Sequence, residues 1–201
     1  MKAEIRADGL RISGYVNVTG RQSRPIFTKR GKVVEIIERR AFQKAIDRAE
    51  NIQLLLDHRQ DKVLASTKDK TLSVEEDEIG LRAETIVTDQ ETIEAAKAGR
   101  LKGWSFNMLR PVDELEERAD QLPIRRVREF DMTEITLALD RVPAYSATSI
   151  ELRADEEVET EERAMETEVT VLVEREPEKP DNSAYRNRAY KARIGNMRKG
   201  E

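Results

Sequence analysis

Residues 101–109 read LKGWSFNML, and their alternation sets the architecture. Trp104, Phe106 and Met108 fall on one side of an extended chain, and Ser105 and Asn107 fall on the other. That is the pattern of a strand with a greasy face and a polar one. Working outward, PIRRVREFDM (123–132) and TEITLAL (133–139) supply two more strands on the C-terminal side. On the N-terminal side, LRISGYVNV (10–18) puts Leu10, Ile12, Gly14, Val16 and Val18 on one face, and KVVEII (32–37) is short and β-branched. IQLLLDH (52–58), KVLAST (62–67), TLSVEED (71–77) and GLRAETIV (80–87) continue the series, with a turn at DEIG (77–80).

The period changes in two places. In 38–52, Phe42, Ala45, Ile46 and Ala49 share one helical stripe. DQETIEAAKAG (89–99) is a second short helix, with Asp89 as N-cap and Gly99 as its stop. Seven or eight short strands and two helices in 150 residues predict a mainly β, α+β domain. The expected form is a small closed or nearly closed β-barrel with helices packed outside it.

Charge divides the chain. Among 201 residues, 36 Lys and Arg face 40 Asp and Glu, for a net −4. Residues 151–180 hold twelve acidic and four basic side chains, residues 181–201 hold two acidic and six basic, and residues 1–150 balance. The expected organisation is therefore a folded domain over 1–152 and a charged, flexible tail over 153–201, acidic and then basic. ADEEVETEERAMETE (154–168) has too few apolar residues for a core and reads as a solvated helix or a linker. EVTVLVERE (168–176) reads as one isolated or docked strand, and YRNRAYKARIGNMRKG (185–200) is basic with two tyrosines.

Composition excludes several chemistries. There are no cysteines, which removes disulfides, thiolate metal sites and cysteine nucleophiles. The one histidine, His58, cannot build a multi-histidine metal centre. No phosphate-cradling GxxxxGK[ST] or GxGxxG stretch occurs, and no carboxylates show calcium-loop spacing. No metal or cofactor is expected. The N-terminal stretch MKAEIRADGL lacks the apolar run of a secretory signal, and no run is long enough to span a bilayer, which points to a cytoplasmic chain without a membrane partner.

His58 is the only side chain able to act as an imidazole base. A lone histidine is most often structural, but this one ends an apolar strand among Asp57, Arg59 and Asp61, where its charge state is tunable. Any nucleophile it activates must be serine or threonine. Ser105, beside Gly103 and between the anchoring Trp104 and Phe106, is the best positioned. A third group is needed to orient the imidazole. Glu134 fits because it points opposite Ile135, Leu137 and Leu139, with Glu129, Asp131 and Asp57 as competitors.

Taken in order, RISGYVNV, KVVEIIERRAF, LLLDHR, GLRAETIV, LKGWSFNM and EITLALDRVPAYSAT resemble the prohead (procapsid maturation) proteases of tailed bacteriophages, over about residues 1–150. The resemblance implies a fold similar to the herpesvirus assembly proteases, a β-barrel flanked by helices. The histidine of the family's LxDH element falls on His58, the serine of its G-x-S element on Ser105, and the acid of its E-[VI]-[ST]-L element on Glu134. The herpesvirus enzymes use a second histidine as third member; this chain has none, so an acid fills that role or it stays empty. ERRAF departs from the proline–glycine pair that many relatives carry before Ala-Phe.

The function so implied is a serine endopeptidase that cleaves scaffolding protein, or the scaffolding segment of the major capsid protein, and then itself, inside the procapsid in the host cytoplasm. A homodimer is compatible, nucleic acid is not an expected partner, and the loop Arg141-Val142-Pro143 is a candidate source of oxyanion donors. The rival is a catalytically silent assembly or scaffold-type factor with a protease-like barrel.

Overall fold

A computed structural model describes residues 1–140, 148–153, 156–166 and 168–173. Its strands are β1 (Lys2–Arg6), β2 (Gly9–Val18), β3 (Ile26–Thr28), β4 (Gly31–Ile37), β5 (Gln53–Leu56), β6 (Arg59–Ser66), β7 (Leu72–Glu76), β8 (Gly80–Val87), β9 (Leu101–Glu116), β10 (Ile124–Asp131), β11 (Glu134–Leu139), β12 (Thr148–Arg153), β13 (Glu156–Glu166) and β14 (Thr170–Val173). Two helices occur among the described residues, α1 (Ala41–Arg48) and α2 (Gln90–Lys97). The second is capped as its sequence predicts: the Asp89 carboxylate accepts from Thr92 N–H at 2.9 Å, and Gly99 takes the left-handed φ of 69° that ends it.

The mainly β, α+β reading holds, but the barrel does not. The strands form two separate sheets, one of five strands ordered β14-β1-β2-β8-β7, the other of nine built on β3-β4-β10-β9-β11-β5-β6 with β12 and β13 added. No ladder joins the edges of one sheet to those of the other among the described residues. Side chains join them instead: Leu10, Ile12 and Val16 of β2 belong to the same buried cluster as Trp104, Phe106 and Met108 of β9. An alternating strand with one apolar face is equally suited to a closed barrel or to two stacked sheets, so the pattern alone does not choose between them. Eleven strands, not seven or eight, lie within residues 1–140, because several short pairing segments such as β1 and β3 carry too few residues to show a period.

The second difference lies beyond residue 153. Residues 156–166 are neither helix nor linker but strand β13, which pairs antiparallel with β9 from Thr160↔Leu109 to Glu166↔Gly103. Residues 170–173, by contrast, form the docked strand expected within 168–176, β14, parallel to β1. Apolar content was the wrong guide, because the buried side chains Glu161 and Arg163 are charged and satisfy one another. The basic stretch 185–200 lies outside the described residues.

The long β9 organises everything around Ser105. At Leu109 its partners are Asp131 and Thr160, and at Phe106 they are Ile135 and Arg163. Hence β10 and β11 run end to end along one edge of β9, and β13 occupies the other. Beneath them Phe42 of α1 stacks edge-on against Phe106 and Phe130, with ring centroids 5.1 and 5.2 Å away.

Candidate active site

Each of the three predicted side chains is held by a different local device. His58 stands in a two-residue hairpin turn between β5 and β6, where Leu56 pairs with Arg59. Both turn residues are left-handed, with φ of 50° at Asp57 and 55° at His58, a conformation that Asp and His tolerate better than most residues. Asp57 fastens the turn to β11: its N–H donates to Leu137 O at 3.0 Å, and its Oδ1 accepts from Leu139 N–H at 2.7 Å. The imidazole therefore sits at a rigid corner instead of at the end of a strand.

Ser105 is the fifth residue of β9 and is fully buried, between Thr136 of β11 on one side and Ala164 of β13 on the other. Glu134 opens β11 and is 5% exposed. The side chain of Asn107, two residues beyond Ser105, ties that opening down. Its Oδ1 accepts from the N–H groups of Thr133 and Glu134 at 3.0 and 3.1 Å, and its Nδ2 donates to Thr133 Oγ1 at 2.8 Å.

The structure brings the three together. His58 Nε2 is 2.8 Å from Ser105 Oγ, and His58 Nδ1 is 2.8 Å from Glu134 Oε1. The other Glu134 oxygen accepts from Gln60 Nε2 at 2.7 Å. The competing acids are engaged elsewhere: Glu129 with Lys44 and Arg48, Asp131 with Arg48 and Arg110, and Asp57 with the backbone of β11. A line of hydroxyl, imidazole and carboxylate at hydrogen-bond distance is the arrangement that serine hydrolases use.

The chain belongs to the caudovirus prohead serine protease family, whose model matches residues 1–163 of 201. It is thus a member of a serine peptidase family of phage capsid maturation. No curated protein and no solved structure matches it. No helix among the described residues is long and apolar enough to cross a membrane.

Electrostatics bias the imidazole toward its charged form. Burial works against the charge, but the hydrogen bond to Glu134 and the negative charges of Glu162, Glu134 and Asp57 outweigh it and raise the pKa above the ordinary histidine value. Glu162 belongs to β13, and its Oε1 is 3.8 Å from His58 Nδ1. The serine hydroxyl has a second neighbour on the same strand, the carbonyl oxygen of Arg163 at 3.0 Å. A hydroxyl has one proton to donate. With a charged imidazole both contacts are satisfied at once, Nε2–H donating to Oγ and Oγ–H donating to the carbonyl. With a neutral imidazole the proton of Ser105 turns to Nε2.

Sequence reasoning missed Gln60 and the role of Asn107. It also missed a buried charge cluster, 2–3% exposed, made of Glu35, Arg125, Glu161 and Arg163. The available signal was a charged residue inside an otherwise apolar run, Glu35 in KVVEII and Arg125 in PIRRVREFDM. The candidate oxyanion loop 141–143 lies outside the described residues.

Proposed function

We propose that this chain is a serine endopeptidase of the phage procapsid in which Ser105 is the nucleophile, His58 the general base and acid, and Glu134 the group that orients the imidazole. The observation that carries this reading is the pair of 2.8 Å contacts made by the two nitrogens of His58. Nδ1–H donating to Glu134 leaves the Nε2 lone pair directed at the hydroxyl, the tautomer a general base requires.

In the reaction, Nε2 takes the hydroxyl proton as Ser105 Oγ bonds to the scissile carbonyl carbon. The carbon–nitrogen bond then breaks, and the imidazolium returns its proton to the departing amine. Water, deprotonated by the same nitrogen, attacks the acyl-enzyme and releases the new carboxyl terminus. Glu134 accepts from Nδ1–H and stabilises the imidazolium. The substrates are the scaffolding protein, or the scaffolding segment of the major capsid protein, and the chain itself, within the procapsid in the infected cell.

The test is co-expression with the major capsid protein of the same phage, comparing the wild type with Ser105→Ala and His58→Asn by intact mass. Shortening of the capsid protein in the wild type alone is the expected result. Identical masses from all three chains would sink the reading and leave the silent assembly factor in its place.

A further inference from the structure

The strand β13 lies along β9 as a substrate strand would. Added to a free sheet edge, an extended peptide is held through its backbone, and alternate side chains enter pockets on one face. Along β13, Glu161 and Arg163 share one face, and Glu162 and Ala164 share the other. The carbonyl of Arg163, the first half of the Arg163–Ala164 peptide bond, is the one within 3.0 Å of Ser105 Oγ. Among the described groups of β13, this carbonyl is the one that accepts a hydrogen bond from Ser105 Oγ.

The side chain of Arg163 is received by a built acidic pocket. Glu35 of β4 binds its guanidinium through both carboxylate oxygens, Nε to Oε1 at 2.7 Å and Nη2 to Oε2 at 2.9 Å. A cavity of about 170 Å³, whose lining includes Asn17, Arg21, Gln22, Ser23, Glu35 and Arg163, lies beside this pair. The fork geometry fits arginine better than lysine, and a neutral side chain would leave the buried Glu35 carboxylate with only its single contact to Arg125. Two residues earlier, Glu161 meets Arg125 of β10, whose Nη2 donates to Oε1 at 2.8 Å. Arg125 also reaches Glu35 at 3.1 Å, so the two receptor groups still have each other when β13 is not there. Opposite Ser105, the position after the peptide bond holds the small, buried Ala164.

Resting on the serine endopeptidase reading above, we propose that the groove beside Ser105 selects arginine at the residue whose carbonyl is attacked, with Glu35 as the specificity-determining carboxylate. Arg125 adds a preference for glutamate two residues upstream, and the Arg163–Ala164 bond is the chain's own copy of that substrate. Cleavage there joins Ser105 Oγ to the Arg163 carbonyl carbon and breaks the bond to the Ala164 nitrogen, which takes its proton from His58. Water then frees the Arg163 carboxylate. A cluster serving stability alone would produce no such selectivity.

The experiment maps every Ser105-dependent cut, in the full chain and in the co-expressed capsid protein, by mass spectrometry. It also supplies the peptide VETEERAMETE (158–168) in trans, with Arg, Lys, Gln or Leu at the fifth residue before its C-terminal Glu168. Self-cleavage after Arg163 and peptide cleavage at least ~100-fold faster with Arg than with Gln or Leu are expected. In Glu35→Gln, the ratio of Arg to Leu cleavage should fall at least ~10-fold, a readout that a folding defect, which scales both peptides alike, does not move. Ser105-dependent cuts after non-basic residues, or an unaltered ratio in Glu35→Gln, would overturn the selectivity and leave the protease reading standing. The absence of any Ser105-dependent cut would take both down.

Discussion

His58 and Ser105 are 47 positions apart in sequence, yet Nε2 and Oγ meet at 2.8 Å. The contact crosses β11, which pairs with β5 on one side and β9 on the other. It is set by the register of three strands, so a change that slips one of them moves the imidazole away from the hydroxyl.

Removing either member should abolish turnover. Ser105→Ala deletes one oxygen, and His58→Asn keeps a residue suited to the left-handed turn. Each should lower kcat/KM by about 10⁴-fold or more, with a urea midpoint close to the wild type for Ser105→Ala, and for His58→Asn at high pH. Glu134→Gln should lower kcat by about 10²–10⁴-fold, because the amide can hold the imidazole in the wrong tautomer. Any of the three retaining full rate would exclude that residue from the chemistry.

The rate should depend on pH with a displaced midpoint. The base must be neutral, and its pKa is raised, so kcat/KM should climb with pH through a midpoint above about 6.5, the free histidine value. Glu162→Gln removes a negative charge 3.8 Å from Nδ1 and should move the midpoint toward acid. For stability the direction is opposite. The charged imidazole contributes in full below the unfolded-state value, and that contribution is lost as pH rises through the folded-state value. Denaturant midpoints of the wild type and His58→Asn, measured across this window, should converge at high pH.

Asn107→Ala should damage the site from a distance. It leaves two N–H groups at the start of β11 without this acceptor, that of Glu134 buried and that of Thr133 partly buried, at a cost of about 1–3 kcal/mol. The expected signature is a lower urea midpoint together with a reduced kcat, since Glu134 loses the tie that orients it. An unchanged kcat would show that β11 is positioned by its ladders alone.

The buried charges should behave as a unit. Arg125→Ala leaves Glu35 and Glu161 with Arg163 as their shared cation and Asp113 with Arg30, in a site 3–8% exposed on the side chain, and breaking such a network costs about 3–5 kcal/mol. The double variant Arg125→Ala with Glu161→Ala should be less destabilised than the sum of the two singles. Additive losses in chemical denaturation would show that the charges act independently.

The local elements were readable because they depend on local chemistry. The Trp104/Phe106/Met108 alternation, the Asp89 cap and the apolar run before His58 all report what a few neighbouring residues prefer. What could not be read was pairing at long range. Whether β2 and β9 close into a ladder or only pack face to face is decided by sheet edges, and an alternating pattern serves both. The strand 156–166 was hidden because its large buried side chains among those described are Glu161 and Arg163, which look solvent-bound until Glu35 and Arg125 stand opposite them. In the same way Asn107 reads as a polar-face residue, and only the location of Thr133 makes it a fastening.

The order of the elements along the chain also sets an order in time. Every residue of the His58–Ser105–Glu134 line, with its ties to Gln60 and Asn107, lies in the first 139 positions, whereas the strand seated over Ser105 ends at Glu166. At a synthesis rate of about 5–20 residues per second, a ribosome finishes the site about 1–5 s before it finishes the strand that covers it. Each newly made molecule therefore passes through an interval in which its groove exists and its own occupant does not.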